Sequence, residues 1–490
     1  MRIGLLDQTT KGWSAGATFT RMMLACVELA KEQSDTEVIF LSRSKESTPP
    51  STFKSIFIGE QPDRTQWTES LKDAALDVVI PVRDHTVFDV DLPFVGWIPD
   101  FQHLRLPELF DPAEIRFRDQ FFLAIAQKSS LVLLSSESAR MDFEEFFPDQ
   151  AAKARVAHFP SLLWTLDRGD DSATVRKYHL PEKFALVANQ FWRHKNHQIL
   201  PPALGLLKRR RIEIDLVVTG LPSDYRDPEN KSLSQFFQES AMEDVRESIH
   251  FLGQIPFRDL VAMMRAAALI IQPSFFEGWS TSIEDSKALG RPLVCSDIPV
   301  HREQVPDALG FFDPKRPETL ADLLAAIYGD LRPGPDLQRE EAAFALARTQ
   351  ASDYGCCLIE MAKEAMVTTR QETLLKEHES LLKEHESLLQ EHEALRKEHE
   401  SFLKEAAARF EELTKCIGEL EARSSSDLLL LRQLNHRLRR QSLVEFASRN
   451  IRIRWRLARK RTPHLGEMQR RGQSAVRKLF AWVKALRRKT

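Results

Sequence analysis

The sequence predicts an α/β protein in which two doubly wound parallel-sheet domains face each other and a helical coiled coil follows them. Three observations predict it. Short β-branched or apolar runs alternate with helix-like segments over the first 160 residues. The alternation breaks at "FPSLLWTLDRGDD" and resumes to about residue 335. Beyond residue 366 a seven-residue repeat replaces it. A chain of 490 residues exceeds one ordinary domain, so two compact domains and an appendage are expected. The boundaries read as 1–165, 172–366 with a closing helix, 367–440 for the coil and 441–490 for a basic tail.

In the first domain, strands are expected at 3–6, 37–41, 77–81, 94–98 and 130–134, each a short apolar run bounded by polar or turn residues. In the second, "FALVAN", "IEIDLVVTG", "SIHFLG", "ALIIQPS", "PLVCS" and "GFFDP" are strand candidates separated by helices. Two such sheets joined by a connector leave a cleft between them.

Composition narrows the chemistry. Cys26, Cys295, Cys356, Cys357 and Cys416 form no CxxC pair and no even framework, which argues against zinc sites and a disulfide scaffold and for a reducing compartment. The start "MRIGLLDQ" reads as a strand, not a secretory signal, and no run reaches 18 apolar residues, so no membrane span is expected. The net charge of −2 hides a division: between residues 432 and 490, 19 Lys and Arg stand against Glu445 and Glu467, about +17, leaving about −19 for the rest.

The stretch "SFFEGWSTSIEDSKALGRPLV" concentrates candidate binding groups. "ALIIQPS" is a buried-strand run, Ser280 to Ser282 offer a helix cap, and Gly290 falls just past the helix end. Glu277 therefore sits on a strand-to-helix loop at the carboxyl end of a strand, where open α/β sheets bind ligands. Glu284 and Asp285 fall in the first turns of the helix. Carboxylates there can accept hydroxyl hydrogen bonds from a sugar or ribose, backbone amides at the helix start can meet a phosphate, and the same acids can simply complement the helix dipole.

The stretch "PSFFEGWSTSIEDSKALGRPLVCSDIPVHRE" resembles the donor-site signature of the group 1 glycosyltransferases, retaining enzymes of family 4 with the GT-B arrangement of two facing Rossmann-like domains. The resemblance spreads over about the first 360 residues, with an N-terminal acceptor domain and a C-terminal donor-binding domain. It implies that Glu277 binds the hydroxyls of the transferred sugar. The family's second glutamate falls on Asp285, one methylene shorter, with Glu284 one residue earlier. Gly278, Ser280 and Gly220 are implied on the donor side. In "ANQFWRHKNH", opening a helix after a strand, Lys195 matches the family's diphosphate-gripping lysine, Arg193 stands close to it, and Gln190 occupies the arginine position. Charge builds on the diphosphate as the sugar departs, which gives that grip its chemical sense.

Two further segments belong to the resemblance. "QTTKGWSAGATFTRMML" places Gly12 and Gly16 in a loop where the family keeps glycines near the donor phosphate, without its usual double glycine. In "GWIPDFQHLRLPELF", Asp100, Pro107 and Glu108 fall in register, but Pro99 stands where the family has a histidine. His103 is the candidate replacement in contacting the sugar. The mechanism usually proposed is a same-face attack assisted by the leaving phosphate, so it requires no side-chain nucleophile. A Lys-Arg grip can neutralise a diphosphate as a divalent ion would, and no metal or other cofactor is expected.

After residue 366, Leu374, Leu381, Leu388, Leu395 and Phe402 recur every seven residues, with Leu375, Leu382, Leu389 and Leu403 beside them and His378, His385, His392 and His399 four residues on. This is a helical seam, and homo-oligomerisation is its expected use. In the tail, residues 474–489 set Val476, Leu479, Phe480, Val483 and Leu486 on one side among basic residues, which favours an anionic membrane surface over nucleic acid. The expectation is a cytoplasmic, possibly peripheral retaining glycosyltransferase that moves a sugar from a nucleotide-diphosphate sugar to a glycan or lipid-linked acceptor in cell-surface polysaccharide synthesis. The alternative is a non-catalytic scaffold of the same fold. A sugar-nucleotide epimerase is disfavoured because its acid/base carboxylates find no place.

Overall fold

The computed structural model describes residues 1–9, 14–31, 35–43, 49, 52–60, 63–83, 92–166, 171–222, 224, 226, 240–423 and 436. Gly12 and the whole basic tail beyond 440 lie outside them.

The N-terminal sheet is formed by β1 (Arg2–Leu6), β2 (Glu37–Ser42), β3 (Lys54–Phe57), β4 (Val78–Val82), β5 (Phe94–Ile98), β6 (Leu131–Leu134) and β7 (Ala154–Val156). Its strands are parallel, in the order β3-β2-β1-β4-β5-β6-β7. Runs such as VVIPV, FVGWI and LVLL are buried along their whole length, as strands covered by helices on both faces must be. The five expected strands appear within one residue of their predicted ends. β3 and β7 escape a sequence reading because they are short edge strands, KSIF and ARV, that carry charge instead of an apolar run.

The second sheet is formed by β8 (Ala185–Ala188), β9 (Leu216–Thr219), β10 (Ile249–Gly253), β11 (Leu269–Gln272), β12 (Leu293–Ser296) and β13 (Gly310–Phe312). The order is β10-β9-β8-β11-β12-β13, again parallel. Strand order reverses between β8 and β11, so the crevice above their carboxyl ends is the topological switch point of this sheet.

Two local expectations are corrected. The first helix begins at Ser14, which puts Gly16 inside its first turn and not in the preceding loop. The segment after β8 does not open an α-helix at Lys195. It makes 3₁₀ turns at Arg193–Lys195 and His197–Ile199, and the helix Leu200–Arg209 starts where Pro201 fits a first-turn position without an amide to donate.

The helix Leu337–Arg423 runs through the predicted boundary at 366 without a break. Ala347 is buried in the core of the second domain with Ile283 and Leu289, whereas Ala351, Tyr354, Leu358, Ile359, Ala362 and Ala365 enter the first domain's core beside Phe19, Met23, Cys26 and Val27. The chain divides into two compact units, Met1–Lys376, which holds both sheets, and Glu377–Thr490. Along the later part of the helix Leu381, Leu382, Leu388, Leu389 and Leu403 are exposed. No helix among the described residues is long and apolar enough to cross a membrane.

Candidate active site

The two strands that flank the switch point each deliver one of the predicted groups. The loop after β8 is pinned by Asn196, which takes the left-handed conformation (φ 56°, ψ 41°) and whose side-chain amide donates to the carbonyls of Pro273 at 3.0 Å and Pro314 at 2.8 Å. That brings Lys195 Nζ to 2.6 and 2.8 Å from the two carboxylate oxygens of Glu277, on the loop after β11. Glu277 Oε1 also accepts from Ser274 Oγ at 2.6 Å and from Gln272 Nε2 at 2.9 Å. The β8 and β11 ends are stitched together by the side chains of Asn189 and Gln272, 3.0 Å apart.

Glu277 is 8% exposed. Burial alone would raise its pKa, but the Lys195 charge, His301 and the hydrogen bonds from Lys195 and Ser274 outweigh it and hold Glu277 below the usual carboxylate range. His301 is itself driven down to about 4 by burial, so it is neutral near pH 7, with Nδ1 3.0 Å from the Ser296 carbonyl.

At Gly278 the loop after β11 runs close against the first domain. A Cβ there would lie 2.4 Å from the Pro99 carbonyl oxygen and 2.9 Å from Asp100 Cβ, so only glycine lets this loop pass under the β5 exit. Asp100 accepts from the Gln102 amide at 3.0 Å and thus stands at this crossing. Gly220, at φ 149°, is equally constrained: a Cβ would sit 2.0 Å from the Asn189 carbonyl. Trp279 stacks on His158 with ring centroids 4.3 Å apart and donates Nε1–H to the Phe159 carbonyl at 3.1 Å, so the connector also holds the loop.

Ser280 caps the helix Thr281–Ala288 through the Ile283 amide. The acids of that helix diverge. Glu284 accepts from Lys287 Nζ and Gln304 Nε2, each at 2.9 Å, while Asp285 accepts from Ser161 Oγ of the connector at 2.6 Å. Burial pushes Asp285 up to about 7, with Glu284 adding to the rise and Ser161 opposing it. A raised carboxyl favours the protonated fold: the stability is present below the ordinary carboxyl range and is lost as the pH climbs towards 7. Asp285→Asn should remove on the order of 2 to 3 kcal/mol of that loss between pH 5 and 8. Urea unfolding at both pH values checks it, and an unaltered pH slope would count against it.

The remaining candidates are not gathered at this pair. Arg193 is exposed and lines a cavity of about 320 Å³ with Trp192, Phe275, Lys315 and Glu108. His103 is fully buried in the first domain, with Nε2 3.2 Å from Asp119 and its ring edge-on to Phe122. Burial, with Arg118 nearby, lowers its pKa against the pull of Asp119 and Asp100. The sequence reading missed Gln272, Ser274, Ser161, His301, Gln304 and Arg226. Arg226, after β9, donates Nη1–H to Gln102 Oε1 at 2.8 Å across the domains and is held by Asp224. Of these only Gln272 left a signal, a polar residue ending an apolar strand run.

Residues 172–335 match the family model described as glycosyl transferases group 1. The chain is 27% identical over 178 residues to a D-inositol 3-phosphate glycosyltransferase of Paenarthrobacter aurescens, covering 36% of this chain and 41% of that protein. It is 25% identical over 236 residues to an O-antigen chain mannosyltransferase B of Escherichia coli, covering 47% and 60%. The chain thus spans about half the length of these curated relatives. Among solved structures, the sucrose-phosphate synthase of Thermosynechococcus elongatus superposes with a TM-score of 0.51 at 14% identity, over 78% of this chain and 99% of that one. An α,α-trehalose-phosphate synthase (UDP-forming) of Burkholderia xenovorans gives 0.52 at 12% identity, over 74% and 99%. With two parallel Rossmann-like sheets of seven and six strands, the fold is GT-B.

Proposed function

We propose, from the group 1 glycosyl transferase domain that residues 172–335 make up, that this chain moves a sugar from a nucleotide-diphosphate sugar to a glycan or lipid-linked saccharide with retention at the anomeric carbon. The observation that carries the reading is the buried Lys195–Glu277 pair at the switch point between β8 and β11. In the loaded site Glu277 accepts hydroxyl hydrogen bonds of the sugar while Lys195 turns to the diphosphate and offsets the charge that builds as the bond to the sugar breaks. The same-face attack then needs no protein nucleophile, and Lys195 supplies the charge without a metal. An acceptor in cell-surface polysaccharide is supported by the likeness to a protein named as an O-antigen chain mannosyltransferase.

Calorimetry of the full chain with UDP, GDP, ADP and their sugar nucleotides, in EDTA, tests this. One nucleotide should bind, and Lys195→Ala should weaken it by about tenfold or more. If no nucleotide binds folded protein at millimolar concentration, the scaffold reading takes its place.

The exposed leucine columns and the basic tail complete the proposal. The helix joins copies of the chain, and the tail holds them at the inner face of an anionic membrane. Leu382→Lys with Leu389→Lys should reduce the sedimenting mass to that of one chain, and wild-type protein should float with anionic liposomes at moderate salt. An unchanged mass or protein left at the bottom of the gradient would remove the corresponding half.

A further inference from the structure

The loop Glu277–Ser280 is held at both ends, and the residue that holds its far end lies outside the stretch that resembles a donor signature. Near the start, Lys195, Ser274 and Gln272 fix Glu277. At the other end the carboxamide of Gln304 pairs with the main chain of Ser280 in both directions. The Ser280 amide donates to Gln304 Oε1 at 3.0 Å, and Gln304 Nε2 donates to the Ser280 carbonyl at 2.8 Å and to Glu284 Oε1 at 2.9 Å. Lys287 closes the cluster, its ammonium reaching the Gln304 carbonyl and Glu284 Oε1, each at 2.9 Å. Gln304 and Ser280 are each 2% exposed, so these bonds form away from water, and a lost partner leaves a buried group unsatisfied.

Gln304 ends the short helix Pro299–Gln304, and its neighbour Glu303 reaches the opposite domain. The Glu303 carboxylate accepts from the amides of Glu137 at 2.7 Å and Ser138 at 3.1 Å, at the start of the helix Glu137–Phe146, and lies 2.7 Å from His158 Nε2. His158 is the ring that stacks on Trp279. Two adjacent side chains therefore tie the donor loop to one domain and the supporting helix to the other.

We propose that Gln304 is a positioning residue for the donor sugar: it fixes the main chain at Ser280 so that Glu277 and the Gly278 crossing are already placed when the sugar nucleotide enters. This rests on the glycosyl-transfer reading. Lys195, the group assigned to the diphosphate, is anchored through Asn196 and not through Gln304, so the nucleotide and the sugar should respond differently.

The test uses the full chain with UDP, GDP, ADP and their sugar nucleotides. Gln304→Leu, which keeps most of the volume and removes every side-chain polar contact, should raise the Kd for the sugar nucleotide by about tenfold or more while the Kd for the bare nucleoside diphosphate stays within about twofold. Gln304→Glu keeps an acceptor for the Ser280 amide but loses both donors, and should show the same split if the leucine variant does not fold. An equal loss for both ligands would mean a merely structural role, and no loss for either would mean no role. Both overturn the proposal. Wild-type protein that binds none of the nucleotides overturns the glycosyl-transfer reading and this one with it, an outcome distinct from a wild type that binds and a variant that binds equally well.

Discussion

Glu277→Gln should lower sugar transfer by at least about a hundredfold while leaving the fold intact. The substitution is nearly isosteric, and Ser274 can still donate to the remaining carbonyl oxygen, so packing is little disturbed. What disappears is the anion. Lys195 loses the partner that holds its ammonium at 2.6 Å, and with it goes the carboxylate proposed to accept the sugar hydroxyls. Lys195→Met is the harsher change, because it strands a buried carboxylate, which costs about 3–5 kcal/mol. Transfer rates measured beside urea unfolding separate the two cases. A Glu277→Gln enzyme within about threefold of wild type would remove Glu277 from the chemistry.

A stability effect of the same size is expected far from that pair. Arg265 is 5% exposed and sends its guanidinium to two carboxylates: Nε and Nη2 to Glu340 at 2.7 and 3.0 Å, and Nη1 to Asp171 at 2.6 Å. Asp171 opens the first helix after the connector, and Glu340 lies in the first turn of the closing helix, so one cation fastens three segments. Arg265→Met should destabilise the protein by about 3–5 kcal/mol, most of it from leaving buried carboxylates without a counter-charge. Adding Glu340→Met should recover part of the loss, since the stranded charge goes with it. Chemical unfolding of the two variants checks both statements, and a double variant less stable than the single would contradict them.

Much of this architecture was legible because it is local. A fully buried parallel strand announces itself as an unbroken apolar run, and the β11 run followed by Glu277, a cap and Gly290 can be read without knowing what lies beside it. Lys195 was legible for the same reason, as a cation just past a strand. The partners were not. Ser161 and Asp285 stand 124 residues apart and Gln102 and Arg226 likewise, and nothing in either local sequence says that they meet. His103 shows the opposite failure. Its place four residues after Pro99, where the resembled family keeps a histidine, suggested the cleft, but Phe110, Phe122 and Asp119 enclose it.

The closing helix ties the two domains together. It is fastened to the second domain at Glu340 and Ala347, and from Ala351 onward it is embedded in the first. A continuous α-helix bends gently and kinks sharply only where its hydrogen-bond ladder is interrupted. Any swing of one domain against the other must therefore bend the helix around residues 347–351, where it passes from one core to the other. A rotation large enough to part the Gly278 crossing would have to be taken up as curvature of that helix, so the helix favours small rotations over a wide opening.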